Sequence, residues 1–285
     1  MIRVIAFAMF AAVPAAAYAL QATDDRGVTM SLARPASRIV TLAPHLAEIA
    51  FAAGAGAKLA GVSSFSRHPA EAERLPVVAS YGRVDIERLI ALRPDLVLAW
   101  RSGNSPLQID RLERIGIRVF VTEARRLADI PRIVRLVGAV AGSAEVAEAR
   151  ARQFENEVAD LRKRYAAERR VAVFLEIWHT PLLTVNGAHL ISDALRLCGG
   201  HNVFAAAKTL TPLVSREQIL DARPDAIVTG GFGREALQAW EGLESVPAVR
   251  NKRIYAIDPD WLHAQGPHVL RGVRALCERL ELARN

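Results

Sequence analysis

Apolar positions follow two alternating rules along the chain. Short runs of strand length are separated by stretches in which apolar residues recur every three or four positions, the period of one helix face. The first firm run, Arg38-Ile-Val-Thr-Leu42, stops at Ala43-Pro44 and passes into a helical pattern from His45 to Ala53 that Gly54 and Gly56 close. Leu59-Ala-Gly-Val62, Val77-Val78, Arg118-Val-Phe-Val121, Val171-Ala-Val-Phe-Leu175 and Arg253-Ile-Tyr-Ala-Ile257 read as further strands. Helical patterns over 107–115, 127–141 and 190–198 lie between them, and a terminal helix carries Val269, Val273, Leu276, Cys277 and Leu280. Strand alternating with helix predicts an α/β fold with parallel-type sheets, whose loops at the strand ends form a crevice.

Two features divide the chain. Glu87-Arg-Leu-Ile-Ala-Leu-Arg-Pro-Asp-Leu-Val-Leu-Ala-Trp100 nearly recurs as Glu217-Gln-Ile-Leu-Asp-Ala-Arg-Pro-Asp-Ala-Ile-Val228. In each copy a glutamate opens a short helix, Arg-Pro-Asp ends it because the residue before proline avoids helical geometry, and a buried strand follows. The copies lie 130 residues apart, beyond the roughly 20–50-residue period of a solenoid, so the repeat predicts one unit per lobe. Between them Ser143 caps a helix to about Glu168, with Ala147, Ala151, Phe154, Val158, Leu161 and Tyr165 along one face. Its length of about 39 Å suits a stiff bridge between lobes and allows only limited hinge motion. The expected plan is a leader at 20–37, an N-terminal lobe at 38–142, the bridging helix at 143–168 and a C-terminal lobe at 169–285.

Composition refines this plan. Residues 1–19 combine Arg3, a short apolar run and Ala17-Tyr18-Ala19, the pattern of a cleaved signal peptide, so the mature protein is expected outside the cytoplasm. The net charge of +7 is spread along helices, and its longest basic run is Arg162-Lys163-Arg164. That distribution argues against nucleic acid as a partner. The only two cysteines, Cys198 and Cys277, are expected to form a disulfide in an oxidising compartment, worth about 4–5 kcal/mol in the chain-entropy model.

Candidate chemistry is mostly excluded. Gly230-Gly231-Phe232-Gly233 lacks the Gly-Lys-Ser/Thr ending of a phosphate loop, and Ser63 and Ser64 lack a nucleophile elbow. The seven histidines are scattered without metal-ligand spacing. No enzyme, metal or cofactor is therefore expected. Aromatic residues are more informative. Phe65, Tyr81 and Trp100 sit at strand ends in the first half, and Trp178 and Trp261 do so in the second. Converging on one crevice, they would make a flat apolar platform for a large planar ligand.

The segments 38–54, 61–66, 87–104, 197–200, 214–218 and 260–261 together resemble the periplasmic cobalamin (corrinoid)-binding proteins of ABC importers, across essentially all of 38–285. The resemblance implies two α/β lobes joined by one rigid helix, with cobalamin held between them as transported ligand. It implies contacts from Phe65, Tyr81 and Trp100 in one lobe and from Asp260 beside Trp261 in the other. Thr211 stands where the family carries a tryptophan, and Trp178 is the candidate to replace it. Glu87 and Glu217 resemble the pair of acids that docks on an inner-membrane permease dimer. The receptor itself would be monomeric and periplasmic. The same fold also carries haem or ferric siderophores; haem would use Tyr81 or His68 as axial ligand, and a siderophore would use Arg67, Arg83 or Arg101.

Overall fold

The computed structural model describes residues 20–80, 82–165, 167–230 and 238–285. The expected signal segment 1–19, Tyr81 and Gly231–Gly233 lie outside the described residues.

The chain begins with a hairpin, β1 (Leu20–Thr23) and β2 (Thr29–Leu32), paired antiparallel. There follow β3 (Ile39–Thr41), α1 (Pro44–Ala52), β4 (Leu59–Ser63), β5 (Val77–Ser80), β6 (Arg83–Val84), α2 (Ile86–Ala91), β7 (Leu96–Trp100), α3 (Pro106–Arg114), β8 (Val119–Thr122) and α4 (Asp129–Ala141). Their strands form a six-stranded sheet in the order β6-β5-β4-β3-β7-β8, parallel except where β6 pairs with β5. α5 (Ala144–Tyr165) leads to β9 (Val171–Glu176), α6 (Leu190–Leu197), β10 (Gly200–Asn202), α7 (Arg216–Ala222), β11 (Ala226–Thr229), α8 (Pro247–Arg250), β12 (Ile254–Ala256), α9 (Pro259–Leu262) and α10 (Val269–Arg284). The second sheet, β10-β9-β11-β12, is wholly parallel. The fold is thus the two-lobed α/β arrangement that strand–helix alternation predicts.

The repeated segment performs one job twice. The Asp85 side chain accepts from the Arg88 N–H to start α2, and Ser215 with Gln218 forms a capping box at α7. After each helix the arginine of Arg-Pro-Asp turns left-handed, Arg93 at φ 47° and Arg223 at φ 46°. Such a backbone costs a non-glycine residue about 1–2 kcal/mol. The aspartate that follows offsets this by clasping the lobe's first strand. Asp95 accepts from the Ser37 N–H at 2.8 Å, the Ser37 hydroxyl at 2.7 Å and the Arg38 N–H at 2.9 Å, while its own N–H donates to the Arg38 carbonyl. Asp225 repeats the pattern, accepting from the Ala172 N–H at 3.1 Å and donating its own N–H to the Ala172 carbonyl at 2.8 Å. Each clasp delivers the next strand into register beside the first, Ile39 opposite Leu96 and Val173 opposite Ala226.

The bridging helix spans 22 residues, about 33 Å, and is shorter at its C-terminal end than the periodicity predicts. Its stripe is confirmed: Ala147, Ala151, Phe154, Val158 and Tyr165 are buried, and Leu161 is half-buried. The Ser143 hydroxyl donates to the Ala53 carbonyl at 2.6 Å, tying the start of α5 to the end of α1, while the Ser143 carbonyl accepts from the Ala147 N–H at 3.1 Å. α4 and α5 approach so closely that a Cβ on Gly138 would lie 2.2 Å from that of Ala147. Arg135 on α4 then spans Glu148 and Glu155 on α5, each at 2.6 Å.

The leader at 20–37 holds two strands, β1 and β2. Ala22, Leu32 and Ala36 of the leader are buried, Leu20 and Met30 are half-buried, and Val28 is exposed. Its acids anchor it, Asp24 accepting from the Val121 N–H and Asp25 from the Glu123 N–H. One apolar core runs from this hairpin through α1, α4 and α5 into α6 and α10. Cys198 and Cys277 form the expected disulfide, joining the end of α6 to α10 with Cα atoms 4.7 Å apart.

The clasp can be tested through its pH dependence. Burial acts to raise the Asp95 pKa, but the hydrogen bonds from Ser37 and Arg38 outweigh it and leave the carboxyl below the ordinary aspartate value. A depressed carboxyl stabilises the fold above its unfolded pKa and loses that contribution as pH falls through the folded value. Asp95→Ala should lower the unfolding free energy by about 1–2 kcal/mol at neutral pH. In urea titrations the gap between variant and parent should narrow below about pH 4.

Candidate functional site

Strand ends from both lobes meet in a cleft. A cavity of about 230 Å³ is walled by Pro44, His45, Phe65 and Trp100 from the first lobe and by Asp260 and His263 from the second. A second hollow of about 200 Å³ shares Pro44, Phe65 and Trp100 with it and extends over Ser80, Gly82 and Asn104. Together they form an elongated trough across the C-terminal ends of the first sheet, where open α/β sheets bind ligands.

Trp100 is held in place by its own loop. The Asn104 side chain accepts from the Trp100 N–H at 2.7 Å and donates to the Leu42 carbonyl at 3.1 Å, pinning the end of β7 to the end of β3. The indole lies on Gly103, where any Cβ would sit 1.7 Å from a ring carbon. His45 packs edge-on to the indole, with centroids 5.2 Å apart and planes at 89°. Burial pushes the His45 pKa down to about 3, so this wall is neutral. The Trp100 Nε1 is buried with no hydrogen-bond partner among the described residues. Phe65 is 52% exposed and left-handed at φ 64°. An exposed aromatic held in a costly backbone conformation is the kind of strain found at ligand sites.

Charge sits at the mouth. Arg67 reaches across the cleft to Asp260 at 3.7 Å and lies 5.6 Å above the Phe65 ring. His68 stacks on His268 of the opposite lobe at 4.2 Å. Glu48 on α1 accepts from the His268 N–H, and Asp193 on α6 accepts from the Leu127 N–H at 2.9 Å. The lobes are thus linked by polar contacts as well as by α5.

Phe65, Trp100 and Asp260 therefore come together as the sequence suggests. Tyr81 lies outside the described residues, although its neighbours Ser80 and Gly82 line the trough. Trp178 and Trp261 do not line these cavities. Trp178 is 56% exposed, and its Nε1 donates to the Thr180 carbonyl. The Trp261 carbonyl faces the start of α10, where a Cβ on Gly272 would lie 2.5 Å away. Of the three candidate arginines, Arg101 donates to the Asp25 carbonyl at the hairpin turn, and Arg67 lines the cleft. Ser63 is buried with its hydroxyl 3.3 Å from that of Ser66, unlike an exposed nucleophile.

His45, His263 and Gln265 escaped sequence reasoning because scattered histidines and a lone glutamine carry no spacing signal. For His45 a usable cue existed, since it stands directly after a strand end at Ala43-Pro44. Gly230, considered above as part of a phosphate loop, instead makes room for the His263 ring, whose Nε2 would lie 2.3 Å from a Cβ there. Among the described residues no cluster of three His, Cys, Asp or Glu could hold a metal ion.

Comparison with known proteins agrees with this geometry. The family model described as periplasmic binding protein matches residues 39–261. The vitamin B12-binding protein of Vibrio cholerae serotype O1 is 34% identical over 250 residues, covering 87% of this chain and 91% of that protein. Its counterpart from Yersinia pestis (strain Pestoides F) is 35% identical over 251 residues, covering 87% and 88%. The crystal structure of periplasmic vitamin B12 binding protein BtuF of Vibrio cholerae superposes with a TM-score of 0.82 at 33% identity, covering 88% of this chain and 99% of that one. A periplasmic heme-binding protein from Pseudomonas aeruginosa superposes with a TM-score of 0.73 at 26% identity, covering 85% and 91%. The strand order, the bridging helix and the extent of these matches lead to one assignment: the chain belongs to the periplasmic binding protein family.

Proposed function

We propose that this protein is a monomeric periplasmic receptor that captures cobalamin between its lobes and delivers it to the permease dimer of an inner-membrane ABC importer, with no chemistry of its own. The observation that carries the reading is the two-sided cleft. Phe65 and Trp100 supply a rigid aromatic wall in one lobe, and Asp260 supplies a polar contact in the other. A corrin ring with peripheral amides suits such a site, because its flat face buries against aromatics while Asp260 can accept from an amide N–H. Relatives named for vitamin B12 binding match across nearly their whole length, which supports the same ligand. Haem is favoured less. Of its candidate axial ligands, His68 is engaged in the stack on His268.

Capture needs little rearrangement, because the bridging helix and the contacts across the cleft restrain the lobes. Glu87 and Glu217 then serve docking. Both are exposed, and both lie in the first turn of the corresponding helix of their lobe. A hydrogen bond from Ser215 holds the Glu217 carboxyl below the usual carboxylate range, so it is charged at neutral pH.

Calorimetry with cyanocobalamin, haemin and a ferric siderophore tests the ligand. Micromolar or tighter binding of cyanocobalamin alone is expected, and clearly tighter binding of haemin would overturn the assignment. Trp100→Ala should weaken cyanocobalamin binding by about 2 kcal/mol, roughly thirty-fold in Kd. The double variant Glu87→Ala with Glu217→Ala should bind cyanocobalamin like the parent. It should nevertheless fail to restore corrinoid-dependent growth to a strain lacking its receptor; normal growth would remove the docking role.

A further inference from the structure

A further cavity, of about 570 Å³, is separate from the cleft described above. It lies behind it, where α1, α4 and α5 meet the start of α10. The stacked pair His68 and His268 stands between the two spaces, and Glu48 and His68 line both. Its floor is apolar, with Phe154 and Leu270 buried and Phe51 half-buried. Its rim is cationic. Arg150 stands on α5, and Arg271 and Arg274 stand on α10.

These guanidinium groups are unequally satisfied. Arg274 is paired with Glu157, and Arg150 donates to the neutral side chain of Gln153 at 3.1 Å. Arg271 has no side-chain hydrogen bond or ion pair among the described residues. Glu48 is the acid nearest in role, yet burial pushes its pKa up to about 7, so it neutralises the rim only in part. An apolar floor about the volume of a small-molecule site, beneath exposed guanidinium groups, selects for one chemistry.

We infer that this groove is a second binding site, for an organic monoanion with a compact aromatic or aliphatic body. Its carboxylate, sulfonate or phosphate would meet Arg271 and Arg150, and its body would cover Phe51 and Phe154. Because α1, α5 and α10 all contribute, an occupant would brace the two lobes against each other at their hinge.

The test uses the full mature chain and anilinonaphthalene sulfonate, an aromatic monoanion followed by calorimetry. The expected result is saturable binding at one site, retained in excess cyanocobalamin and in Trp100→Ala. Arg150→Glu with Arg271→Glu should weaken it at least tenfold while leaving cyanocobalamin affinity and circular dichroism unchanged. Absent or non-saturable binding, displacement by cyanocobalamin, or unchanged affinity in the double charge reversal would each overturn the proposal. Loss of native circular dichroism in that variant would move the test to Arg271→Gln, which should still weaken binding several-fold; no change there would also overturn it. Failure of cyanocobalamin to bind the parent would bear on the cleft and leave this result intact.

Discussion

The carboxylate of Asp95, and its counterpart in Asp225, fixes how each lobe is built. A short helix must end, reverse and enter the sheet next to the lobe's first strand, and the chain meets all three demands in Arg-Pro-Asp. Proline forbids helix before it, the arginine takes the left-handed conformation, and the aspartate binds the backbone at the entrance of the neighbouring strand. Strand register follows from that contact, and strand register determines which residues emerge at the far end of the sheet. The cleft is therefore a consequence of hydrogen bonds made at the opposite edge of the molecule.

At that far end the aromatic wall is preorganised. Trp100 leaves β7, the strand that the Asp95 clasp positions, and then Asn104 and Gly103 fix its backbone and ring. Burial keeps His45 uncharged behind it. A ligand meeting such a wall does not have to order the side chains that receive it, and ordering costs are what most often separate buried area from affinity. The lobes are restrained in the same spirit. A continuous core and contacts such as Glu48 with His268 leave room for adjustment rather than for a wide swing. A helix that returns to the start of a strand begins near the strand's far end. Glu87 and Glu217, in the first turns of α2 and α7, remain in solvent.

The structure also separates two kinds of aromatic residue that look alike in sequence. Trp100 and Trp178 both follow strands, but the loop after β9 folds back on itself. Trp178 donates to Thr180 and pairs with Leu183, while Glu176 beneath it accepts from His179 and Trp240. That local network, and not the strand end as such, directs Trp178 outward. Trp261 is set by a different constraint, the tight approach of its backbone to Gly272.

Periodicity and local chemistry determined much of this protein by themselves. Strand length against helix spacing, proline stops and the recurrence of one segment specify two α/β lobes, the stripe on α5 and the pairing of the only two cysteines. These features depend on neighbours in sequence or on elimination, so they survive without coordinates. Phe65, Trp100 and Asp260 were also legible, through motifs that resemble a known family. Tertiary structure alone decided that the leader packs as a hairpin, that Arg101 serves the hairpin rather than the cleft, and that His45, His263 and Gln265 join the site. It also placed an arginine-rimmed groove at the hinge from α1, α5 and α10. Each of these depends on which side chains distant segments bring within a few ångströms, and no spacing along one segment encodes that.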